Sequence, residues 1–444
     1  MAIPKEYQGR SIYHFTHLFN LENILKHGLL SKNIKEKLKL EHKDIAYDGI
    51  QQRRADMDVP CGPKGVVHDY VPFYFCKRSS MLLAIINNKI ADEQFIMYFQ
   101  APITIMDEYA CVFSDAAANT AMPPNFFANP KELNRLNWKA IDSLKWSMPT
   151  DALKQARMAE LLIYKQVNMS DVSGIIVWND WIKEEVQKIF KAAGLTPPPI
   201  KLDYRHYFDD FYNKGELPPV TGPFFIRKKY DEITSAILKD PGGAPSAQFE
   251  SLGDLRDALK ADFGCLEETA ELAGLESDNP LHREDVATHT LKVVEKLNGL
   301  PEYEDMKGSD KRLAEVAAYL HDIGKGPKSR WPDGRQKVDP DHPIKALPML
   351  KRILTKEIKN VSASSVGLLC KLVCYHDLVG DIVGKGRRVE ELEEIVEDER
   401  ELSMLIALGK ADMLALNPIW LDEHKVEDMR RRVLGTLKRR QDKE

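Results

Sequence analysis

The hydrophobic pattern changes its period once along the chain, near residue 252, and that change limits the folds open to it. Before it, short β-rich and aromatic runs at 71–75, 94–99, 161–164 and 174–178 alternate with helical stretches at 21–27 and 182–193. The alternation lacks regular βαβ units, so it predicts an α+β arrangement. After it, strand signals almost vanish and apolar residues recur at helical spacing, as in Leu313, Val316, Ala317 and Leu320, or Leu402, Leu405 and Leu408. That spacing predicts an all-α second half. At 444 residues the chain also exceeds the size at which one hydrophobic core keeps growing, so it is expected to be multidomain. The division is 1–214, a Pro/Gly-rich linker with a short helix at 215–251, and 252–444.

Hydrophobic residues at 43% and charged residues at 30% exclude disorder as an explanation of the chain. A formal net charge of -5 argues against coating nucleic acid through bulk charge, while leaving room for a local basic groove. The longest apolar runs are strand-sized, far short of the roughly 20 residues of a membrane helix. Residues 1–10 lack the apolar core of a signal peptide. The expectation is a cytoplasmic protein with no membrane partner. Cys61, Cys76, Cys111, Cys265, Cys370 and Cys374 form no CxxC pair, which fits reduced thiols. The basic end, with Arg430-Arg431-Arg432 and Lys438-Arg439-Arg440, reads as the solvated C-terminus of a last helix.

In the second half, His321-Asp322 ends the helical pattern built on Leu313, Val316 and Leu320. Adjacent imidazole and carboxylate chelate one cation if both turn inward. The dipeptide alone is common, and a single buried histidine is usually a satisfied core residue. Here His289, His342, His376 and Asp412 also fall where the local apolar pattern turns inward. Burying several such groups without a cation or partner would cost several kcal/mol. His289, then His321-Asp322, then Asp412, resembles the H…HD…D signature of HD-superfamily phosphohydrolases, over 252–437. Glu271-Leu272 and Leu281-His282-Arg283-Glu284-Asp285 are also similar to the start of HD domains attached to bacterial tRNA nucleotidyltransferases. The resemblance implies one or two divalent transition-metal ions (Mn, Fe, Ni or Zn) and a nucleotide or phosphodiester substrate. His342 and His376 stand where two-metal members place extra ligands, and Lys325 is a candidate phosphate-binding cation.

In the first half, Tyr13-His14-Phe15-Thr16-His17 alternates, so His14 and Thr16 share one face of a strand. Glu160 opens the apolar run Leu161-Leu162-Ile163-Tyr164. It reads either as an acid at the mouth of a buried strand or as a surface glutamate paired with Arg157.

These segments, with Asn23-Ile24-Leu25, Gly28-Leu29-Leu30, Gln52-Arg53-Arg54, Val59-Pro60, Asp69-Tyr70-Val71-Pro72-Phe73-Tyr74-Phe75, Arg78-Ser79-Ser80-Met81-Leu82 and Ala159-Glu160, resemble the DarT family of DNA ADP-ribosyltransferase toxins over 10–212. The resemblance implies an α+β ADP-ribosyltransferase fold, two small sheets around an NAD cleft. It implies that His14 and Thr16 hold the nicotinamide end of NAD, that Arg54 is the essential arginine near the diphosphate and the target base, with Arg53 as the alternative, and that Glu160 is the catalytic acid. It further implies a base in single-stranded DNA, thymidine, as the acceptor, and toxin or phage-defence biology with an antitoxin protein as partner. Tyr70, Tyr74 and Phe126 are candidate stacking surfaces, Tyr70 and Tyr74 more naturally core. The competing expectation is transfer to RNA or protein, with the HD domain as a ligand-binding sensor.

Overall fold

In the first half, strands form along the aromatic and apolar runs: β1 (Ser11–His17), β2 (Tyr70–Tyr74), β3 (Ile96–Pro102), β4 (Cys111–Ser114), β5 (Phe126–Phe127), β6 (Glu160–Tyr164), β7 (Gly174–Val177) and β8 (Ile200–Leu202). The computed structural model describes residues 2–46, 48–118, 123–208, 220–240, 244, 246–278, 284–331 and 333–442. Its contacts divide the chain into two units, Met1–Pro219 and Val220–Glu444.

Eight strands of the first unit form one sheet in the order β8-β7-β3-β1-β2-β6-β4-β5, and Leu29–Leu30 pairs with Gln166–Val167 as a separate antiparallel ribbon. Only the edge pair β8–β7 is parallel. β1 and β3 pair along their whole length, from Ser11↔Pro102 to His17↔Ile96. β1 and β2 share the single register pair Tyr13↔Tyr74. The two small sheets expected from the sequence are therefore two halves of one sheet, joined at one residue pair and antiparallel but for the β8–β7 edge. Pro72 explains part of the weak junction, since proline has no N–H to offer a neighbouring strand. Its carbonyl instead accepts from His14 Nδ1 at 2.7 Å. The α1 helix (Asp48–Asp56) carries Arg54, and the α2 helix (Asp180–Ala192) starts where the Asn179 side chain accepts from Ile182 N.

The second unit is built on α3 (Pro223–Lys239), α4 (Val286–Asn298), α5 (Gly308–Leu320), α6 (His342–Arg352), α7 (Ala363–Cys374), α8 (Glu399–Leu416) and α9 (Glu423–Gln441). Asp285, Ser362 and Asp398 cap α4, α7 and α8 by accepting from Thr288 N, Ser365 N and Glu401 N. The apolar positions Leu313, Val316, Ala317, Leu320, Leu402, Leu405 and Leu408 all enter one core. Two short parallel strand pairs, Phe249–Ser251 with Ile358–Asn360 and Glu276–Ser277 with Arg335–Gln336, qualify the all-α expectation.

The helix expected within the 215–251 segment is present and packs into the second unit. α3 spans 17 residues, and its Ile226, Tyr230 and Ile237 belong to the core of the second unit. Pro223 occupies the first turn of that helix, where a missing N–H costs nothing. The expected boundary at 214 and residues 215–219 lie outside the described residues, as do Leu281, His282 and Arg283 of the HD resemblance. Among the described residues no helix is long and apolar enough to cross a membrane.

Candidate active site and candidate metal centre

Glu160 begins β6 in the middle of the sheet, in register with Tyr74 of β2 and Ser114 of β4. A carboxylate buried there requires a charged partner. Arg54 supplies it from α1: Nη1 donates to Oε1 at 3.0 Å and Nη2 to Oε2 at 2.9 Å. Ala118 N donates to Oε1 at 3.3 Å, and Arg54 Nη1 also donates to the Ala118 carbonyl at 3.4 Å. Arg54 is 8% exposed and Glu160 0%. Burial works against the Arg54 charge, but Glu160 more than offsets it and raises the guanidinium pKa. Arg53, the alternative, is exposed. Arg157 is buried and donates to the Lys145 carbonyl at 2.7 Å, so it is not the partner of Glu160.

A cleft of about 960 Å³ is lined by His14, Thr16, Arg54, His68, Tyr74 and their neighbours. Glu160 is not among the lining residues; Arg54 reaches the cleft and holds the carboxylate behind it. Because the Pro72 carbonyl only accepts, His14 Nδ1 carries the proton and Nε2 is left as an acceptor. Burial pushes His14 down to about 4, so the ring is neutral near pH 7. Thr16 Oγ1 accepts from Asn20 Nδ2 at 3.1 Å, which frees its O–H to donate. Asn20 in turn is clamped to the Lys43 backbone, accepting from N at 2.6 Å and donating to O at 3.0 Å. Tyr70 and Tyr74 are buried walls, and Tyr70 Oη donates to the Lys64 carbonyl at 2.7 Å; neither offers an open stacking face. Phe126 is half-buried and pairs through β5 with Ser114.

In the second unit three helices, α4, α6 and α8, and the turns after α5 and α7 bring the sequence-predicted ligands together. His289 Nε2 lies 3.0 Å from Asp412 Oδ1 and 3.7 Å from Asp322 Oδ2. His321 Nε2 lies 3.3 Å from Asp322 Oδ2 and 3.9 Å from Asp412 Oδ1. On the other side of Asp322, its Oδ1 lies 3.2 Å from His342 Nε2 and 3.9 Å from His376 Nε2. Asp322 thus turns one oxygen to each of two nitrogen pairs. Asp377 completes the second group, 3.7 Å from His342 and 3.4 Å from His376.

The donor set fits a divalent cation. His321, His342 and His376 each point Nδ1 at a backbone carbonyl, of Ala318, Asp339 and Val373, at 2.7, 2.8 and 2.8 Å. Those carbonyls fix the protons on Nδ1 and leave the Nε2 lone pairs converging inward. His342 Nε2 and His376 Nε2 then face one another at 3.1 Å, an arrangement that a shared cation or proton relieves. His321 Nε2 and Asp322 Oδ1 are buried without a hydrogen-bond partner, their close approaches lacking hydrogen-bond geometry. Imidazole with carboxylate suits a transition metal better than calcium. Lys325, expected as a phosphate-binding charge, is engaged with Asp322 Oδ2 at 2.6 Å. Lys410 pairs with Glu302 and Glu423, which leaves Asp412 to His289. Two glycines permit the packing: a Cβ on Gly324 would stand 1.9 Å from the His342 carbonyl, and one on Gly409 2.7 Å from Val379 Cβ.

Residues 13–209 match the family model described as ssDNA thymidine ADP-ribosyltransferase, DarT, and residues 286–403 match the HD domain. A DNA ADP-ribosyl transferase of Thermus sp. (strain 2.9) is 36% identical over 193 residues, covering 40% of this chain and 87% of that protein. The chain belongs to the DarT family. A DNA ADP-ribosyl transferase of Escherichia coli O127:H6 is 27% identical over 198 residues, covering 43% of this chain and 89% of that one. Among solved structures, Thermus sp. 2.9 DarT in complex with ADP-ribosylated ssDNA aligns with a TM-score of 0.42 and 33% identity, over 47% of this chain and 99% of that chain. The same DarT in complex with NAD+ aligns with a TM-score of 0.40 and 30% identity, over 47% and 100%. The DarT match occupies the first unit alone, and the second is an HD domain.

Three contributors were missed in the sequence of this DarT chain. Asp377 follows His376 and so repeats the His-Asp dipeptide, a signal that was there to find. Asn20 lies four residues after Thr16, but no pattern announces a bond between them. The Ala118 N–H contacts Glu160 across 42 positions and leaves no trace in residue type.

Proposed function

We propose that the first unit transfers ADP-ribose from NAD to a base, thymidine, in single-stranded DNA. The carrying observation is the buried Arg54–Glu160 pair behind a cleft whose wall presents His14 and Thr16. The names of the relatives support the same substrate class. His14 and Thr16 hold the nicotinamide end, Thr16 as a donor and His14 Nε2 as an acceptor. An arriving diphosphate competes with Glu160 for Arg54 and draws the guanidinium toward the cleft, uncovering the carboxylate. The bond from nicotinamide nitrogen to ribose C1′ breaks with its electron pair leaving on nicotinamide, and Glu160 stabilises the cationic ribose in a water-poor site. A base nitrogen then attacks C1′ as its proton passes to water on the DNA side, and Arg54 stabilises the negative charge that builds on the base. Single strands are the economical substrate, because a base in a duplex must first be flipped out. An antitoxin protein is the partner such an activity calls for in its own host.

The second unit, in the same proposal, is a metal-dependent phosphohydrolase acting on a nucleotide or phosphodiester. His289, His321, Asp322 and Asp412 hold one cation, and His342, His376, Asp377 and Asp322 a second. When bound, two such ions supply Lewis-acid neutralisation of a phosphate and a water ionised near neutral pH. The residues themselves supply geometry, with the backbone carbonyls orienting three imidazoles and Lys325 restraining Asp322.

Labelled NAD offered separately with single-stranded DNA, RNA and protein tests the first part. Label on DNA alone is expected; label on RNA or protein alone replaces the reading. Phosphate release from a panel of nucleotides by the metal-loaded protein tests the second, and a bound metal with no release would make the HD unit a sensor.

A further inference from the structure

The cleft has more cations than its motifs account for. Lys32, Lys35, Lys43 and Arg54 all line it. Lys32 is committed to Asp44 at 2.9 Å, and Arg54 to Glu160. Lys43 lies over the Phe19 ring, 5.8 Å from its centroid. Lys35, on the short helix Lys32–Lys37, has no ion pair and no hydrogen bond from its ammonium among the described residues. A half-buried charge without a partner is costly to keep, and a bound anion removes the cost.

Its position selects the anion. Beside the main cleft lies a second pocket, open to solvent, and the two share His14, Thr16, Asn20, Leu30, Lys35 and His42 as lining residues. A dinucleotide has two nucleoside ends and one diphosphate between them. With the nicotinamide end at His14 and Thr16, the other end extends into whichever cavity remains, and the diphosphate crosses the shared wall. We propose that Lys35 is the cation that holds the diphosphate of NAD. The inference rests on the NAD-dependent reading above and adds a residue to it. It adds a second cation for the diphosphate beside Arg54, the guanidinium that the diphosphate draws off Glu160. Burial pushes the Lys35 ammonium below its usual range, with Lys32 adding to the effect and Asp44 opposing it, as expected where an anionic partner has yet to arrive.

The test is calorimetric titration of the full-length protein and its Lys35→Met and Lys35→Arg variants with NAD, with ADP-ribose and with a thymidine-containing single-stranded oligonucleotide. Loss of one charge-assisted contact predicts that Lys35→Met weakens NAD and ADP-ribose alike by about 10- to 100-fold, with oligonucleotide affinity unchanged. Lys35→Arg is expected to restore most of it. Unchanged NAD and ADP-ribose affinity in Lys35→Met overturns the assignment. So does a loss confined to the oligonucleotide, which would give Lys35 to a DNA phosphate. A folded Lys35→Arg variant as weak as Lys35→Met also overturns it, because charge would not be the cause. Failure of the unaltered protein to bind NAD is a different result, and it would remove the transferase reading itself.

Discussion

Arg54 and Glu160 stand 106 positions apart in the chain and meet in two parallel hydrogen bonds of 3.0 and 2.9 Å, with the carboxylate fully buried. Removing one partner of a buried pair leaves an uncompensated charge and costs about 3–5 kcal/mol. Glu160→Ala should therefore lower the melting temperature as well as stop transfer, so loss of activity in that variant alone is ambiguous. Glu160→Gln keeps an acceptor and nearly the same volume. It is expected to stay folded and bind NAD while transfer falls by at least about 100-fold, since the carboxylate acts on the charged transition state. Single-turnover assays beside thermal unfolding check both halves; near-normal transfer in Glu160→Gln would remove the residue from the chemistry.

The neighbouring arginines should separate cleanly. Arg53 is exposed and Arg54 holds the buried carboxylate, so Arg53→Ala is expected within a few tenths of a kcal/mol of the parent stability and near its transfer rate. Arg54→Lys keeps the charge but loses the two-pronged geometry, and it should cost both stability and rate. Denaturant midpoints and initial rates of the two variants decide, and the opposite ranking would move the role to Arg53.

Acid should loosen the first unit. Burial pulls His17 and His206 from the ordinary 6.5 down to about 3, and His14 and His68 to about 4. Between 6.5 and those values the unfolded chain binds protons that the folded unit refuses, so this contribution to stability is complete above pH 6.5 and is lost as pH falls through the window. His206 is fully buried, with both ring nitrogens lacking a hydrogen bond, so His206→Phe should flatten the dependence. Peptide-resolved hydrogen exchange of the full chain at several pH values, corrected for intrinsic rates, reads the slope; an unchanged slope would mean that His206 is not buried neutral.

In the second unit, replacing His321 and Asp322 together by Ala removes a ligand pair that serves both nitrogen groups, and bound metal measured by emission spectroscopy should disappear. A subtler variant is Gly324→Ala. Its Cβ would collide with the His342 carbonyl at 1.9 Å, forcing α6 away from the HD turn, so weakened metal retention is expected without the loss of any ligand. Full metal content in Gly324→Ala would show that the two sides of Asp322 need not be held together.

The legible parts of this molecule are those that residue type and period can express. Leu313, Val316 and Leu320 marked α5, and the histidines on inward faces marked the centre, because burying imidazole is rare enough to need a reason. The proline-rich wording of 215–251 hides how much of that segment is helix, because a proline such as Pro223 starts one helix as readily as another proline breaks one. Residue order does not show the partner of Glu160: Arg157 lies three positions away, but Arg54, 106 positions away and on a distant helix, makes the bond. Lys35 looked like any surface lysine; only the closed cleft shows that its neighbours are already paired.

The proposed chemistry moves ADP-ribose from NAD onto a base of single-stranded DNA through Glu160. Its most direct test is mass spectrometry of single-stranded oligonucleotides, with and without thymidine, after incubation with NAD and either the parent protein or Glu160→Gln. A gain of one ADP-ribose is expected on thymidine-containing strands with the parent protein and none with the variant. NAD bound or consumed with every oligonucleotide left at its original mass would contradict it.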